Sequence, residues 1–218
     1  MTKKNRKIQF HKDETSYLVM KDPQHFPSNE AAKARYDTHH NGEDNDEYIA
    51  YQKRIFDTFV GIYLKPGKSL DYGCGEGGVM SNFIEGLALY DLYYHPDSKV
   101  LQTTYDNIIL IEIVEHFESP MTEFKRLIDL LNHGGRLIIQ TQFYTDFEGI
   151  EQWWYVRDTT HVAFYHLNTF EYLCKQFALR LIYTDMKSQV VLEKTVLYDK
   201  TCYNDFVIEV IFLCMHIS

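Results

Sequence analysis

The sequence has few cysteines, and none of them are close together. The four are spread along the chain: Cys74, Cys174, Cys202 and Cys214. Without a C-x-x-C pair there is neither a zinc ribbon nor a disulfide framework, so we expect reduced thiols and a cytoplasmic protein. The basic segment 1–7 is not followed by the apolar core of a signal peptide. The longest apolar run, 206–215, contains Glu209 and is too short to span a bilayer.

Positive charge is also scarce. The 218 residues include 22 Lys and Arg against 31 Asp and Glu, a formal net charge of −9. Binding along a nucleic-acid backbone needs Lys and Arg to displace counterions. The balance therefore argues against nucleic acid and favours a small-molecule partner. The proportions of hydrophobic residues, 45%, and charged residues, 24%, are those of a globular domain rather than a disordered chain.

Strand-like and helix-like segments alternate from residue 69 onward. Strands are predicted at 69–72, 87–90, 107–113, 136–141, 179–183 and 189–193, and helices from the first glycine cluster through Ile84, at 121–131 and at 168–177. Such alternation is typical of a parallel sheet with helices on both faces. Upstream, short extended pieces precede a helix capped by Ser28 or Asn29 and a second helix over about 46–64.

A glycine cluster follows the first strand of this alternating region. Gly73, Gly75 and Gly78 have the G-x-G-x-x-G spacing that lets the backbone turn tightly and approach a ligand. The spacing alone also suits a nicotinamide dinucleotide or a plain tight turn. Asp71 precedes the first glycine by two residues, where a carboxylate can accept a hydrogen bond from an ammonium group but would repel a pyrophosphate. Asp91 ends the next strand, where it can accept hydrogen bonds from both ribose hydroxyls.

Two carboxylates and an imidazole lie at the predicted end of the third strand. Glu112, Glu115 and His116 are spaced i, i+3 and i+4, so a helical turn brings them together at the edge where open α/β sheets bind ligands. With His161 as a fourth ligand, they form a candidate site for Mg²⁺ or Mn²⁺. Glu115 or His116 can instead act as a general base without a metal. In the structural alternative, Glu112, Glu115 and His116 cap a loop and a helix, and His161 stabilises a turn.

Together these segments resemble the motifs of class I S-adenosylmethionine-dependent methyltransferases. The matching stretches are Leu70-Asp-Tyr-Gly-Cys-Gly-Glu-Gly, Tyr105-Asp-Asn-Ile-Ile-Leu-Ile-Glu112, Glu115-His-Phe and Leu130-Leu-Asn-His-Gly-Gly-Arg-Leu-Ile-Ile-Gln-Thr141. They cover about residues 66–195. The resemblance implies a Rossmann-like, doubly wound α/β sheet that is mostly parallel, with an antiparallel last strand. Because only residues 95–105 fill the interval of the third family strand, we expect the sheet to be shortened there.

The resemblance also implies roles for individual residues. The methionine end of S-adenosylmethionine would contact Asp71, Gly73, Cys74 and Gly75, its ribose Asp91, and Glu112 would order the nearby loop. The spacing Glu-x-x-Glu-His, followed later in the chain by a histidine, is similar to the motif of the metal-assisted branch of this family. That branch includes ubiquinone-pathway O-methyltransferases and small-RNA 3′-end methyltransferases. That branch implies Glu115, His116 and His161 as catalytic residues, and the same three with Glu112 as ligands of Mg²⁺ or Mn²⁺.

Two further segments are expected to cover the site. Arg35-Tyr-Asp-Thr-His-His-Asn41 resembles the N-terminal segment that places a tyrosine and a histidine over the cofactor as a lid, here Tyr36 and His39. The aromatic stretches 143–144, 153–155 and 164–166 follow the fifth strand, where this fold inserts its acceptor-binding segment. Taken one at a time, each aromatic stretch is equally well explained as part of the hydrophobic core.

The sequence thus predicts a methyltransferase that acts on a hydroxyl of a small molecule. Methylation of carbon or nitrogen and a non-catalytic cofactor-binding partner protein remain alternatives. The expected organisation is an N-terminal extension with a helical lid at 1–64, a methyltransferase domain at 65–195 and a tail of unassigned role at 196–218, in a monomer or a homodimer.

Overall fold

A computed structural model describes residues 8–38, 41–42 and 44–195. Its strands are β1 (Phe10–Lys12), β2 (Val19–Lys21), β3 (Ser69–Tyr72), β4 (Ala88–Tyr90), β5 (Tyr105–Ile111), β6 (Leu131–Gln140), β7 (Ala163–Phe164), β8 (Leu179–Thr184) and β9 (Gln189–Lys194). The helices are α1 (Asn29–Tyr36), α2 (Asp46–Ile55), α3 (Gly61–Tyr63), α4 (Pro120–Asp129) and α5 (Leu167–Phe177). A π-helical turn, Phe56–Val60, joins α2 to α3. Short 3₁₀ helices lie at Pro23–His25, Val79–Asn82, Ser98–Gln102, Val114–His116, Ile150–Gln152 and Trp154–Arg157.

The main sheet has six strands in the order β4-β3-β5-β6-β9-β8. β3 runs parallel to β4 and β5, and β5 runs parallel to β6. β9 is antiparallel to both of its neighbours. The prediction of a mostly parallel Rossmann-like sheet with an antiparallel last strand is therefore confirmed.

Helices cover both faces of this sheet. On β5, Ile108 and Leu110 pack into the cluster that contains residues of α4 and α5. The alternate residue Ile109, with Ile138 of β6, packs into the cluster that contains α2 and the π-helical turn. Because each central strand is buried on both faces, its sequence is apolar at consecutive positions rather than at every second one. The central strands could be located in the sequence for this reason.

The segment after the glycine cluster is not the predicted helix through Met80, Phe83 and Ile84. It contains only the 3₁₀ helix Val79–Asn82, followed by a turn in which Gly86 has a φ of +68°. The prediction was wrong. The 15 residues between β3 and β4 are enough for a crossover, but Gly73, Gly75, Gly78 and Gly86 all have positive φ, which interrupts a helical backbone.

The sheet is shortened as the sequence predicts. β4 pairs only with β3 in the described residues, and the interval before β5 holds a bridge between Asp91 and His95 and one 3₁₀ helix. β6, in contrast, begins earlier than predicted, at Leu131. Gly134, with a φ of +73°, lies within β6 rather than before it, at an irregularity in the pairing with β5.

The N-terminal segment forms a second sheet that the sequence did not reveal. β1 pairs with β2, and β2 pairs with β7, both antiparallel. β7 belongs to the long segment between β6 and α5, so the start of the chain is anchored beside His161. α1 begins as predicted, with Ser28 Oγ accepting a hydrogen bond from the backbone N–H of Ala31 at 3.3 Å.

Two predictions fall outside the described residues, those for His39 and for the tail 196–218. The division of the chain at residues 64 and 195 stays a prediction. Among the helices in the described ranges, none is both long and apolar enough to cross a membrane.

Candidate active site

A cleft of about 930 Å³ opens at the carboxyl ends of β3, β4 and β5. Its floor is formed by the glycine loop and the ends of these strands. α1 and α2 line one part of it, and residues 154–162 line another. The cleft therefore lies where open α/β sheets bind their ligands.

The glycine loop turns beneath the cleft in a conformation that requires glycine. Gly73 has a φ of +86°, and a Cβ atom there would lie 2.5 Å from Cγ1 of Ile113. Gly75 has a φ of +67°, but a Cβ there would meet nothing within 4 Å, because this residue faces the open cleft. Backbone N–H groups of Gly73 and Cys74 donate to the carbonyl of Tyr90 at 2.7 and 3.2 Å. Gly73 is thus needed for packing, and Gly75 leaves space for a ligand.

Asp71 lies under the loop rather than on the open cleft. It lines a small adjoining cavity of about 20 Å³ together with Cys74, whose side chain is also buried. Burial, and then the charge of Asp91, raises the pKa of Asp71 to about 7. A cationic group beside Asp71 would offset both effects and favour the ionised carboxylate.

Asp91 connects the glycine loop to the turn after β4 at the edge of the cleft. One of its oxygens accepts the backbone N–H of Gly75 at 3.1 Å, and the other accepts those of Tyr93 and Tyr94 at 2.8 and 3.1 Å. The carboxylate therefore fixes the glycine loop relative to the turn after β4. Each oxygen has two lone pairs, so capacity remains to accept a ligand hydroxyl.

Glu112 and Glu115 share one phenol group. The hydroxyl of Tyr155 lies 2.6 Å from Oε1 of Glu115 and 2.9 Å from Oε2 of Glu112. Burial, and then the charge of Glu115, raises the pKa of Glu112 to about 8, and burial raises that of Glu115. A phenol has one proton to donate, so both contacts are satisfied only when one glutamate is protonated and donates to the phenol oxygen.

The backbone at Glu112 is strained. Its φ of +50° is in the left-handed region, where a residue with a Cβ is disfavoured by about 1 kcal/mol. The conformation reverses the chain directly after β5 while the backbone N–H of Glu112 still donates to the carbonyl of Gln140 at 2.9 Å. Strained non-glycine residues of this kind are concentrated at functional sites.

His116 and His161 hold fixed tautomers. Nδ1 of His116 lies 2.9 Å from the carbonyl oxygen of Thr160, and Nδ1 of His161 lies 2.8 Å from that of Tyr155. A carbonyl can only accept, so Nδ1 carries the proton in both rings and each neutral ring keeps a lone pair on Nε2. Burial lowers the pKa of His116, and burial together with His116 lowers that of His161 to about 4.

Three of the four predicted ligands converge. Ligand atoms of Glu115, His116 and His161 all lie within 4.8 Å of one another. Oε2 of Glu115 is buried, and within the described residues it meets no hydrogen-bond donor. A buried carboxylate oxygen without a donor is costly unless a ligand satisfies it. Glu112 is not part of this triangle and contacts it through Tyr155.

Tyr36, which the sequence predicts to be a lid residue, contacts this cluster. Its ring meets that of His116 edge-on, with centroids 5.3 Å apart, and packs on Tyr93 at 5.7 Å. α1 is attached on both sides of the cleft. Arg35 binds Asp158, and Asp37 accepts the hydroxyl of Tyr94 at 2.6 Å.

Sequence reasoning placed Tyr155 only within the aromatic stretch 153–155 expected near the acceptor, did not link it to the two glutamates, and did not single out Asp158. Nothing local distinguishes Tyr155 among the 17 tyrosines of the chain. The Asp158-x-Thr160 spacing was a usable signal, because a carboxylate two residues before a threonine is typical of a capped turn.

Comparison with known proteins identifies the family. A family model described as a methyltransferase domain matches residues 43–184. No curated protein matches the sequence. Solved structures with a similar fold include an O-methyltransferase family protein from Burkholderia thailandensis, which is 12% identical, with 75% of this chain and 62% of that chain covered and a TM-score of 0.50.

Two further solved structures are similar in fold. One, from Thermotoga maritima, is a methyltransferase described as a possible histamine N-methyltransferase, with 13% identity, 69% and 97% coverage of the two chains and a TM-score of 0.48. The other is an N-methyltransferase from Bradyrhizobium japonicum, with 14% identity, 71% and 99% coverage and a TM-score of 0.44. At such identities the likeness concerns the fold and does not indicate the acceptor. On the family match, the chain belongs to the methyltransferase-domain family and is a class I S-adenosylmethionine-dependent methyltransferase.

Proposed function

We propose that this enzyme methylates a hydroxyl oxygen of a small-molecule acceptor with the help of a divalent cation. The observation that carries the proposal is the convergence of Glu115, His116 and His161, whose ligand atoms lie within 4.8 Å of one another, together with the buried Oε2 of Glu115, which meets no donor in the described residues. A carboxylate and two imidazoles whose Nδ1 atoms are already bonded to backbone carbonyls fit a cation better than a purely structural role.

The cofactor-binding residues are proposed on the same basis. S-adenosylmethionine, when bound, supplies a reactive methyl group on a cationic sulfonium. The buried carboxylate of Asp71 suits its ammonium group, and that of Asp91 suits the ribose hydroxyls. Gly75 leaves room for the ligand, and Gly73 and Cys74 hold the loop from beneath. Tyr36 and His39 of the lid are proposed to cover the methionine end.

The donor set indicates which cation to test first. Imidazole nitrogen is a poor ligand for Mg²⁺, whereas Mn²⁺ accepts mixed nitrogen and oxygen ligands. Both imidazoles are oriented by hydrogen bonds from Nδ1 to backbone carbonyls, which is the usual support of metal-binding histidines. Glu112 would support the site through Tyr155 or supply a further oxygen. The chemistry that such a cation supplies is a lower pKa for a bound hydroxyl.

The protein's own groups can also take up the acceptor's proton. His116 and His161 are neutral at pH 7 because burial lowers their pKa values, so each Nε2 can accept a proton. This is the metal-free version of the mechanism. A base with a pKa of about 4, as for His161, is weak, so the hydroxyl must be made more acidic for transfer to be efficient.

Charge at the cleft restricts the acceptor. Six acidic residues line it: Glu76, Asp91, Glu112, Glu118, Glu123 and Asp158. Among the lining residues in the described part of the chain, Arg126 is the one lysine or arginine. The negative electrostatic potential of these side chains repels phosphates and carboxylates. It supports a neutral or cationic small molecule as acceptor and argues against nucleic acid.

Metal dependence tests the proposal directly. Methyl transfer is measured over a panel of matched hydroxyl, amine and carbon acceptors, after chelation and after addition of Mn²⁺ or Mg²⁺. We expect transfer to hydroxyls, lost on chelation and restored best by Mn²⁺. His161→Ala should lose Mn²⁺ binding in calorimetry and at least about 100-fold in rate. His133→Ala, on an exposed histidine of β6, is the control.

The outcomes separate the mechanisms. Full activity after exhaustive chelation, together with loss of activity in His161→Ala, would indicate that a histidine acts as the base and that no cation is needed. Transfer to amines or carbon alone would contradict the assignment of the acceptor atom. Failure to bind S-adenosylhomocysteine would contradict the placement of the cofactor.

A further inference from the structure

Asp158 joins three parts of the structure although it is not among the proposed ligands. One oxygen, Oδ1, accepts the backbone N–H and the hydroxyl of Thr160 at 2.9 and 2.6 Å. The other, Oδ2, accepts Nε and Nη2 of Arg35 at 3.1 and 2.8 Å. Its backbone carbonyl accepts the buried ammonium group of Lys21 at 2.8 Å. One residue thus contacts the lid helix, the small sheet and the loop before His161.

The bonds to Thr160 determine where the carbonyl of Thr160 lies. This carbonyl accepts Nδ1–H of His116 at 2.9 Å and so sets the tautomer of that ring. Thr160 is 3% exposed, so few other conformations are open to it while Asp158 holds its N–H and hydroxyl. Asp158 therefore fixes the direction of the Nε2 lone pair of His116 through two successive hydrogen-bonded contacts, from Asp158 to Thr160 and from Thr160 to His116.

The bond to Arg35 connects the same residue to α1. Asn29, Ala32 and Tyr36 of α1 line the cleft, so the position of this helix determines how far the cleft is covered. The pairing is charge-assisted, and both nitrogens meet one oxygen of a carboxylate whose side chain is 13% exposed. Burial alone would raise the pKa of Asp158, but the hydrogen bonds from Thr160 and Arg35 hold it well below its usual range.

We propose that Asp158 is a positioning residue that couples docking of the lid helix α1 to the orientation and tautomer of His116. The inference deepens the proposed function, since His116 is a proposed ligand, but it requires only the unliganded protein. When α1 is docked, Arg35 holds Asp158 in place, Asp158 holds the Thr160 loop, and His116 presents its Nε2 to the cleft. When α1 is released, the loop and the ring lose this constraint.

The two halves of the coupling can be separated by substitution. Asp158→Asn keeps an oxygen that accepts from Thr160 but replaces the acceptor of Arg35 by an amide NH₂ group. Asp158→Ala removes both interactions. Arg35→Met removes the contact with Asp158 and the neighbouring hydrogen bond to Thr38, leaves the bonds between Asp158 and Thr160 in place, and keeps the length of the side chain. Asp185→Ala is the matched control, because Asp185 accepts from Lys187, Ser188 and Gln189 in the β8–β9 turn and does not line the cleft.

The first readout is the tautomer of His116 in the metal-free protein, from ¹⁵N NMR of the imidazole ring, with His116→Ala used for assignment. We expect wild type and Asp185→Ala to show the Nδ1–H form, Asp158→Ala to show a mixture with the Nε2–H form, and Asp158→Asn and Arg35→Met to show a smaller proportion of the Nε2–H form. The second readout is calorimetric affinity for S-adenosylhomocysteine. Asp158→Asn and Arg35→Met should each weaken it by about tenfold, and Asp185→Ala should not.

A His116 signal that stays in the Nδ1–H form in Asp158→Ala would overturn the positioning role. A wild-type His116 tautomer together with unchanged affinity in both Asp158→Asn and Arg35→Met would overturn the coupling to the lid. Because the NMR measurement uses neither metal nor acceptor, its outcome is independent of whether the cation is confirmed. Absence of cation binding together with a tautomer change in Asp158→Ala would refute the proposed function and leave this inference standing.

Discussion

The shared phenol between Glu112 and Glu115 gives a prediction about stability. Substitution Glu112→Gln removes one of the two carboxylates but keeps an oxygen near the hydroxyl of Tyr155. The pKa of Glu112 rises on folding from 4.5 to about 8, first because of burial and then because of Glu115. A carboxyl of this kind takes up a proton on folding. Its contribution to stability is present at low pH and is lost as the pH rises from about 4.5 to about 8.

The magnitude follows from this window. Between pH 6.5 and 8.5 the native wild-type protein releases most of the extra proton, whereas the unfolded chain is already ionised. The wild type should lose about 2 kcal/mol of unfolding free energy over this interval through Glu112. Glu112→Gln should lack this loss and should therefore be more stable than wild type at pH 8.5.

The assay is urea unfolding at the two pH values with a chelator present, and unfolding is monitored through the fluorescence of Trp153 and Trp154. Glu118→Gln changes an exposed glutamate of the same cleft and should keep the wild-type pH dependence. Parallel pH dependence in wild type and Glu112→Gln would refute the idea that the two glutamates hold a shared proton.

Four further substitutions test the cleft. Gly73→Ala should destabilise the fold by at least about 3 kcal/mol in urea unfolding, since its Cβ would lie 2.5 Å from Ile113. Gly75→Ala should cost about 1 kcal/mol in stability and weaken binding of S-adenosylhomocysteine in calorimetry. Asp71→Asn should increase stability at pH 8, because the pKa of Asp71 is raised to about 7, yet weaken cofactor binding about tenfold. Tyr155→Phe should lower stability by about 2 kcal/mol. An unchanged affinity in Gly75→Ala or Asp71→Asn would contradict the cofactor site.

The parts of the fold that could be predicted from the sequence are those fixed by local pattern. β5 and the apolar part of β6 are consecutive apolar residues because both of their faces are covered, and the glycine loop has a spacing with a steric reason. The helix after Gly78 was wrongly predicted because helix-like periodicity does not show that the glycines at either end, Gly78 and Gly86, adopt positive φ. The small sheet was missed because β1, β2 and β7 are two or three residues long and β7 is far away in sequence.

The same distinction applies to the site. Glu112, Glu115 and His116 could be grouped because they are neighbours at the end of one strand. His161 could be added to this group only by reasoning that parallel strands end at the same edge of the sheet. Tyr155 could not be placed, because its partners are about 40 residues away in sequence and its role depends on tertiary packing alone.

Several residues in and around the cleft cost the fold stability. Asp71 and Glu115 are buried carboxylates, Lys21, which donates to the carbonyl of Asp158, is only 2% exposed, and Glu112 has a left-handed backbone. Burial lowers the pKa of Lys21 to about 8, which means that its charged form is penalised in the fold. These costs are offset by the central strands, whose apolar side chains are fully buried. Ligands that satisfy the buried carboxylates should therefore stabilise the fold as well as bind, because they remove a cost that the unfolded chain does not have.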